Sequence, residues 1–205
     1  MKKNISEMLK LYKPRTLYWY NRIKFFLFPF IKLEMIVPKK GFIIDLGCSH
    51  GLLANYLGIT SNERNILGVE MNENRIKFAN IGIVNTNFQA GDITKINIPQ
   101  ADCIIFTHVL HHLFTSEDQE ELLKFCYGKL KPGGTLIISE VGKTPKWKYI
   151  ISLIADKVLY PFEKINFIPL KKLENLLKKM NFEVEIIPMH IGSVFSHYTF
   201  IGKKN

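Results

Sequence analysis

The sequence predicts an α/β fold built on a mostly parallel sheet, and three observations carry that expectation. Short apolar runs such as Phe42–Leu46 and Ala101–Thr107 have the length of buried parallel strands. Between such runs lie segments whose apolar residues recur at helical spacing. The run at Phe42 also passes through Gly47 and Gly51 into Leu52, Leu53, Tyr56 and Leu57, which share a helical period. Strand, glycine turn and helix N-terminus form a ligand-binding device, because glycine lets backbone approach a ligand at the strand's carboxyl end.

The ligand is not a dinucleotide of the G-x-G-x-x-G type, since Gly47 and Gly51 are separated by Cys48, Ser49 and His50. Asp45, two residues before the first glycine, would repel a phosphate and suits a cation. At 205 residues and 47% apolar content, one domain with a full core is expected. Three cysteines without C-x-x-C spacing argue against a disulfide framework and a zinc site. With no secretory signal and no apolar run of spanning length, a cytoplasmic protein is expected.

Charge is distributed unevenly. Residues 1–40 hold ten basic and two acidic residues, residues 41–140 seven and eleven, and residues 141–205 eleven and five. The basic flanks suit an anionic partner (a charged substrate, a membrane surface or nucleic acid) or serve solubility.

In chain order, Ile5, Met8, Leu9 and Tyr12 predict a helix ending before Pro14. A second helix is expected over Tyr20–Ile36, broken at Pro29. The aromatic and basic residues around Tyr20 read as a lid or substrate wall, as a peripheral membrane contact, or as a helix packed on the sheet. Asn65–Met71 is a second strand ending at Glu70, and Asn72 caps a helix carrying Arg75–Asn80. Asn87–Gln89 is a third strand, followed by Asp92 and Ile93. Ala101–Thr107 is the fourth, and it runs into His108, His111 and His112. An imidazole there suits a general base, or else shapes the pocket or caps the helix beginning near Ser116. Glu117–Tyr127 reads as an amphipathic helix, and Pro132-Gly133-Gly134 as a tight turn into a fifth strand ending at Glu140. Residues 142–168 place Trp147, Tyr149, Ile150, Leu153, Ile154 and Tyr160 beside lysines, as an acceptor surface or a core helix with a basic edge. Pro169–Met180 is an amphipathic helix, and Phe182–Pro188 and Tyr198–Gly202 are the last strands.

DLGCSHG, residues 45–51, resembles motif I of the class I S-adenosylmethionine-dependent methyltransferases, D-x-G-x-G-x-G, with Ser49 where the middle glycine stands. GVEMNENRIKFA resembles that family's second motif, HVLHH its fourth-strand motif in the small-molecule and lipid-acting branch, and LKPGGTLIISEV its turn into strand five. The resemblance covers roughly residues 40–202. It implies a Rossmann-like three-layer sandwich with a seven-stranded mostly parallel sheet, the last strand antiparallel. Residues 1–40 would be an added helical segment and 41–205 the methyltransferase domain, with an acceptor-side insert at 142–168.

The cofactor implied is S-adenosylmethionine, held by Asp45, Gly47 and Gly51 at its methionine part, Glu70 at the ribose, and Asp92 and Ile93 at the adenine, with Cys48, Met71 and Thr107 completing the set. His111 is the candidate base and Glu140 a second acid or base, while Tyr20, His108, His112 and Trp147 face the acceptor; no metal is expected. The function implied is methyl transfer to a small or lipid-like acceptor, anionic in keeping with the basic flanks, at oxygen. An amine-methylating signature is absent after strand four. RNA methylation through the basic flanks, a non-catalytic partner protein and a nucleotide-dependent oxidoreductase are the other readings.

Overall fold

The computed structural model describes residues 2–93, 95–113, 115–159, 166–191 and 193–205. Tyr160, expected on the acceptor surface, lies outside them. Seven strands hydrogen-bond in the order β3-β2-β1-β4-β5-β7-β6, with β1 Gly41–Leu46, β2 Arg64–Glu70, β3 Thr86–Ala90, β4 Ala101–Thr107, β5 Leu130–Val141, β6 Phe182–Pro188 and β7 His197–Lys204. β1, β2 and β3 pair in parallel, and β7 runs antiparallel to both β5 and β6. This is the expected Rossmann-like sheet with one reversed strand. The strand order turns back between β1 and β4, and in open α/β sheets ligands bind beyond the carboxyl ends of the strands at such a switch point.

The chain forms two compact units, residues 1–105 and 106–205. In the first, α1 Lys2–Lys10 buries Ile5, Met8 and Leu9, as their spacing predicts. Tyr12, just beyond α1, is also buried; Asn55 of α4 Leu52–Thr60 donates to its hydroxyl at 3.0 Å and to the Ala79 carbonyl at 2.8 Å. The Thr86 hydroxyl donates to the Asn55 oxygen at 3.2 Å, so the buried amide is satisfied.

The expected helix over Tyr20–Ile36 is instead two, α2 Arg15–Leu27 and α3 Phe30–Ile36. The chain breaks at Pro29 as expected, but α2 begins earlier because Pro14 stands at its N-cap, where no backbone N–H is needed. Asn72 caps α5, accepting from the backbone N–H groups of Asn74 and Arg75, but the helix spans only Glu73–Ile76.

Arg64 is 1% exposed yet fully satisfied. Its guanidinium donates to the Glu34 carboxylate (3.1 Å), to Thr60 Oγ1 (2.7 Å) and to the carbonyls of Glu34, Pro38, Leu57 and Val37. Burial alone would raise the Glu34 carboxyl, but its hydrogen bonds to Lys39 and Arg64 outweigh this and hold it below its ordinary value.

In the second unit, the Pro132-Gly133-Gly134 sequence lies within β5 rather than before it, with Gly133 at φ +71°. α6 Ser116–Lys129 opens with a capping box between Thr115 and Asp118. α8 Leu170–Lys179 buries Leu173 and Leu177, and Asn181 follows in the left-handed region. α7 Lys146–Leu159 turns Trp147, Ile150, Ile151 and Ile154 outward, while Tyr149 and Leu153 of the same expected set are half-buried. Lys148 ties α7 to the chain before β7, donating to the carbonyls of His190 and Ser193 at 2.6 Å each.

Candidate functional site

In the first unit, β1 delivers Asp45 into a turn whose backbone is anchored from beneath. The N–H groups of Gly47 and Cys48 both donate to the Val69 carbonyl of β2, at 2.8 and 2.9 Å. Gly47 (φ +71°), Ser49 (φ +54°) and Gly51 (φ +70°) all sit in the left-handed region. Serine at 49 therefore occupies a conformation that glycine takes without strain, at a cost of about 1 kcal/mol. Gly51 is required for a second reason, that a Cβ would stand 2.7 Å from the Phe88 ring. Its close approach is to the protein's own core as well as to the site.

Glu70, at the end of β2, accepts from the Ser49 N–H through Oε2 and from the Asn72 N–H through Oε1, each at 2.9 Å. Each carboxylate oxygen has a second lone pair, which is what a pair of vicinal hydroxyls needs. Met71 beside it is exposed. Asp92 and Ile93 follow β3 half-buried, and Asp92 lies 3.6 Å from Lys95.

Asp45 is the electrostatic anomaly of this turn. It is 2% exposed, and its Oδ2 has no hydrogen-bond partner among the described residues. Burial pushes its carboxyl up to about 7, reinforced by the Glu70 charge, against the opposing pull of Lys24 and the Ala54 backbone N–H. A buried carboxylate oxygen without a partner costs free energy that a cationic ligand would recover. The residues thus fit a cationic group, as the implied S-adenosylmethionine carries.

Tyr20 of α2 sits edge-on to the His50 ring of this turn, 5.7 Å between centroids. His50 is driven down to about 4 by burial, with Lys24 and Arg75 adding to the effect. Two contributors on α2 had no sequence signal: Lys24, whose charge reaches Asp45, and Asn21, buried with no partner on its side-chain nitrogen or oxygen.

In the second unit, the chain after Thr107 is held against β5. The His108 N–H donates to the Ser139 carbonyl at 2.9 Å, with His108 itself at φ +59°. A 3₁₀ turn over Leu110–His112 follows. Glu140 accepts from the Leu110 N–H through Oε1 (2.9 Å) and meets His111 Nδ1 through Oε2 (2.8 Å). A carboxylate only accepts, so Nδ1 bears the proton of this bond, which in a neutral ring leaves the lone pair on Nε2. Both members are buried, at 0% and 1% exposure, with Phe167 5.0 Å and His112 4.4 Å from the His111 ring.

Both oxygens of Glu140 are thus committed, which suits it to orienting His111 rather than to proton transfer of its own. His108 and His112 are half-buried, and His197 of β7 lies 4.7 Å from the His108 ring. Burial drives His197 down to about 3, so it is a neutral imidazole beside His108. The sequence placed it in the loop before the last strand and gave it no role, whereas β7 begins at His197 itself. Trp147, expected at the acceptor, is 57% exposed on α7 with the Lys148 ammonium 5.1 Å from its ring.

The chain is similar to known proteins in sequence and in fold. The chain is 26% identical over 174 residues to the mitochondrial ubiquinone biosynthesis O-methyltransferase of Rattus norvegicus, covering 76% of this chain and 48% of that protein. Its counterpart in Dechloromonas aromatica is 26% identical over 176 residues, covering 78% and 72%. The chain spans about half the length of the mammalian relatives it matches. Among solved structures, an O-methyltransferase family 2 protein of Planctomyces limnophilus in complex with apigenin superposes with TM-score 0.71 at 17% identity, over 86% of this chain and 57% of that one. Human N-acetylserotonin methyltransferase in complex with SAM superposes at 0.67 and 20% identity, over 86% and 51%. At these identities the structural likeness establishes the fold. The family profile described as a methyltransferase domain matches residues 18–186, most of the sequence, and the chain belongs to that family.

Proposed function

We propose that the protein is an S-adenosylmethionine-dependent methyltransferase acting at oxygen on a small or lipid-like acceptor. The observation that carries this reading is Asp45, a buried carboxylate with an unpartnered oxygen at the sheet's switch point. Asp45 would hold the cationic methionine part and Glu70 the ribose hydroxyls. Bound there, the cofactor supplies an electrophilic methyl group on a sulfonium. The protein's share is to align the acceptor and to take the hydroxyl proton, at Nε2 of His111 with Glu140 fixing the ring. The half-buried His108 and His112 flank that base on the acceptor's side. Oxygen as the acceptor atom is supported by the O-methyltransferase names of the curated relatives and of a solved neighbour.

Calorimetric titration with S-adenosylmethionine tests the reading. The ligand selects ionised Asp45, so below pH about 7 binding must expel a proton. Affinity is then expected to fall about tenfold per pH unit. Above that pH it is flat. Asp45→Asn should weaken binding and abolish the slope, and Glu70→Ala should weaken it without touching the slope. No binding by the parent protein, or an unchanged slope in Asp45→Asn, would remove Asp45 as the donor's counter-ion.

The complete burial of His111 favours a second reading, in which it bolts the 3₁₀ turn to β5. The half-buried His108 would then meet the acceptor.

No helix among the described residues is long and apolar enough to cross a membrane. We further propose that α2 and α3 rest on an anionic lipid surface. Leu17, Asn21 and Phe25 form the buried face of α2, while Trp19, Ile23 and Phe26 lie opposite, 45%, 56% and 77% exposed. A helix apolar on two opposite faces satisfies only one by packing on its own protein. Arg15 and Arg22 border the exposed stripe, and Met35 of α3 is exposed as well. Ten basic against two acidic residues in this segment, with Glu34 buried, would make a self-interface repulsive. Cosedimentation is expected with phosphatidylglycerol vesicles and not with phosphatidylcholine alone. Arg22→Gln should reduce it about fivefold, and Ile23→Asp with Phe26→Asp should abolish it. Equal binding to both vesicles, or no effect of the double variant, would refute the assignment.

A further inference from the structure

Asn21 poses a problem that the structure alone does not solve. It is 1% exposed, and neither its side-chain nitrogen nor its oxygen finds a partner among the described residues. Buried amides almost always pair, because an unpaired one forfeits its hydrogen bonds to water and gains nothing in return. A residue serving packing alone would be better as leucine, which has the same number of side-chain heavy atoms and the same branching without the polar groups.

Its surroundings say what it faces. Asn21 follows Tyr20 and precedes Lys24 by three, so all three lie within one arc of α2. That arc is fixed in place: Phe25 packs edge-on to Tyr56 of α4, 5.0 Å between centroids, and Tyr20 packs on His50 of the glycine turn. The positive charge of Lys24 is felt by Asp45, Cys48 and His50, all in or beside that turn. The turn's own side chains offer a carboxylate and a neutral imidazole, and no cation. A ligand with both an ammonium and a carboxylate needs a positive partner as well as a negative one, and α2 supplies it.

We infer that Asn21, with Lys24, is a binding residue for the zwitterionic amino-acid end of the methyl donor. The Asn21 amide offers a donor and an acceptor to that end, and Lys24 a charge for its carboxylate. The inference rests on the proposed donor site and extends it to a helix outside the glycine-turn motif. It also gives α2 a second duty, since its buried face closes over the turn while its opposite face carries the exposed stripe.

The test exploits the orphaned amide. Asn21→Leu removes an unpaired polar group from the apo protein, so its melting temperature is expected to rise by about 2–4 °C. Its affinity for S-adenosylhomocysteine, the product bearing the same amino-acid end, should fall about tenfold to a hundredfold by calorimetry. Lys24→Gln should weaken the same ligand while leaving adenosine binding unchanged. A merely structural asparagine would not give a more stable protein with a weaker site. Raised stability with unchanged affinity would overturn the inference, as would a fall in both stability and affinity. No heat from the parent protein would instead sink the donor site itself, so the two failures are distinguishable.

Discussion

His111→Ala is expected to lower methyl-transfer turnover by about 10²–10⁴-fold, the usual contribution of a positioned base, with donor affinity unchanged. The reason lies in the pairing of Nδ1 with Glu140 at 2.8 Å, which presents the lone pair of Nε2 and fixes the plane of the ring. Removing the imidazole also leaves the buried Glu140 carboxylate short of a partner, so some loss of stability is expected alongside. Two further measurements separate the effects. Glu140→Gln keeps the shape and weakens the base, so turnover should drop less than in His111→Ala. In His111→Ala donor affinity should keep the pH dependence set by Asp45, since that carboxylate is untouched. A variant that melts earlier yet turns over at the parental rate with the parental pH profile would assign His111 to holding the turn, and His108→Ala would then be the variant to lose activity.

The largest effect on stability is expected from Arg64→Leu, about 3–5 kcal/mol. Arg64 is the hub of a buried cluster that satisfies the Glu34 carboxylate, Thr60 and four backbone carbonyls at once. Leucine fills part of the space and satisfies none of them. For a protein of this size the loss corresponds to a melting temperature lower by roughly 6–20 °C. Arg64→Lys should fall between, since an ammonium keeps the charge but cannot span the same fork of acceptors. Adding Glu34→Gln to Arg64→Leu should recover part of the loss, because the stranded carboxylate is removed. The pH dependence has a definite sign. Glu34 sits below its ordinary value of 4.5, so its contribution is present above that pH and is lost as the pH falls through the depressed value. Arg64→Leu should flatten that acid limb. A change below about 1 kcal/mol in urea unfolding would deny the cluster this role.

Much of this was legible in the residues, because the strands are buried on both sides and so read as continuous apolar runs. The bounds of β4 and β6 match the sequence reading, and the reversed last strand, which the family resemblance implies, is seen in the antiparallel pairing of β7. The carboxylates Asp45 and Glu70 could be singled out because they stand near the ends of strands legible in the sequence, and the structure places them at the ends of β1 and β2. What was hidden depends on partners far apart in the chain. His111 and Glu140 were each visible, but their pairing needs β5 to bring residue 140 beside the 3₁₀ turn. Asn21 reads as an ordinary helix residue until its burial is known. The early start of α2 was missed by treating Pro14 only as the end of the preceding helix, when a proline also serves at a beginning. Ser49 illustrates a third kind of gap, since its departure from glycine is plain but its left-handed backbone is not.

The bond between Tyr12 and Asn55 has a consequence for how the first helix comes apart. Helix ends ordinarily fray, and their amides trade hydrogen for deuterium by small local openings. Here the end of that helix is pinned to α4, and through Asn55 to Thr86 of β3. Leu9 and Met8 lie in the same dry layer. The leading segment therefore belongs to the same cooperative unit as the sheet, and its slowest amides open only when the sheet does.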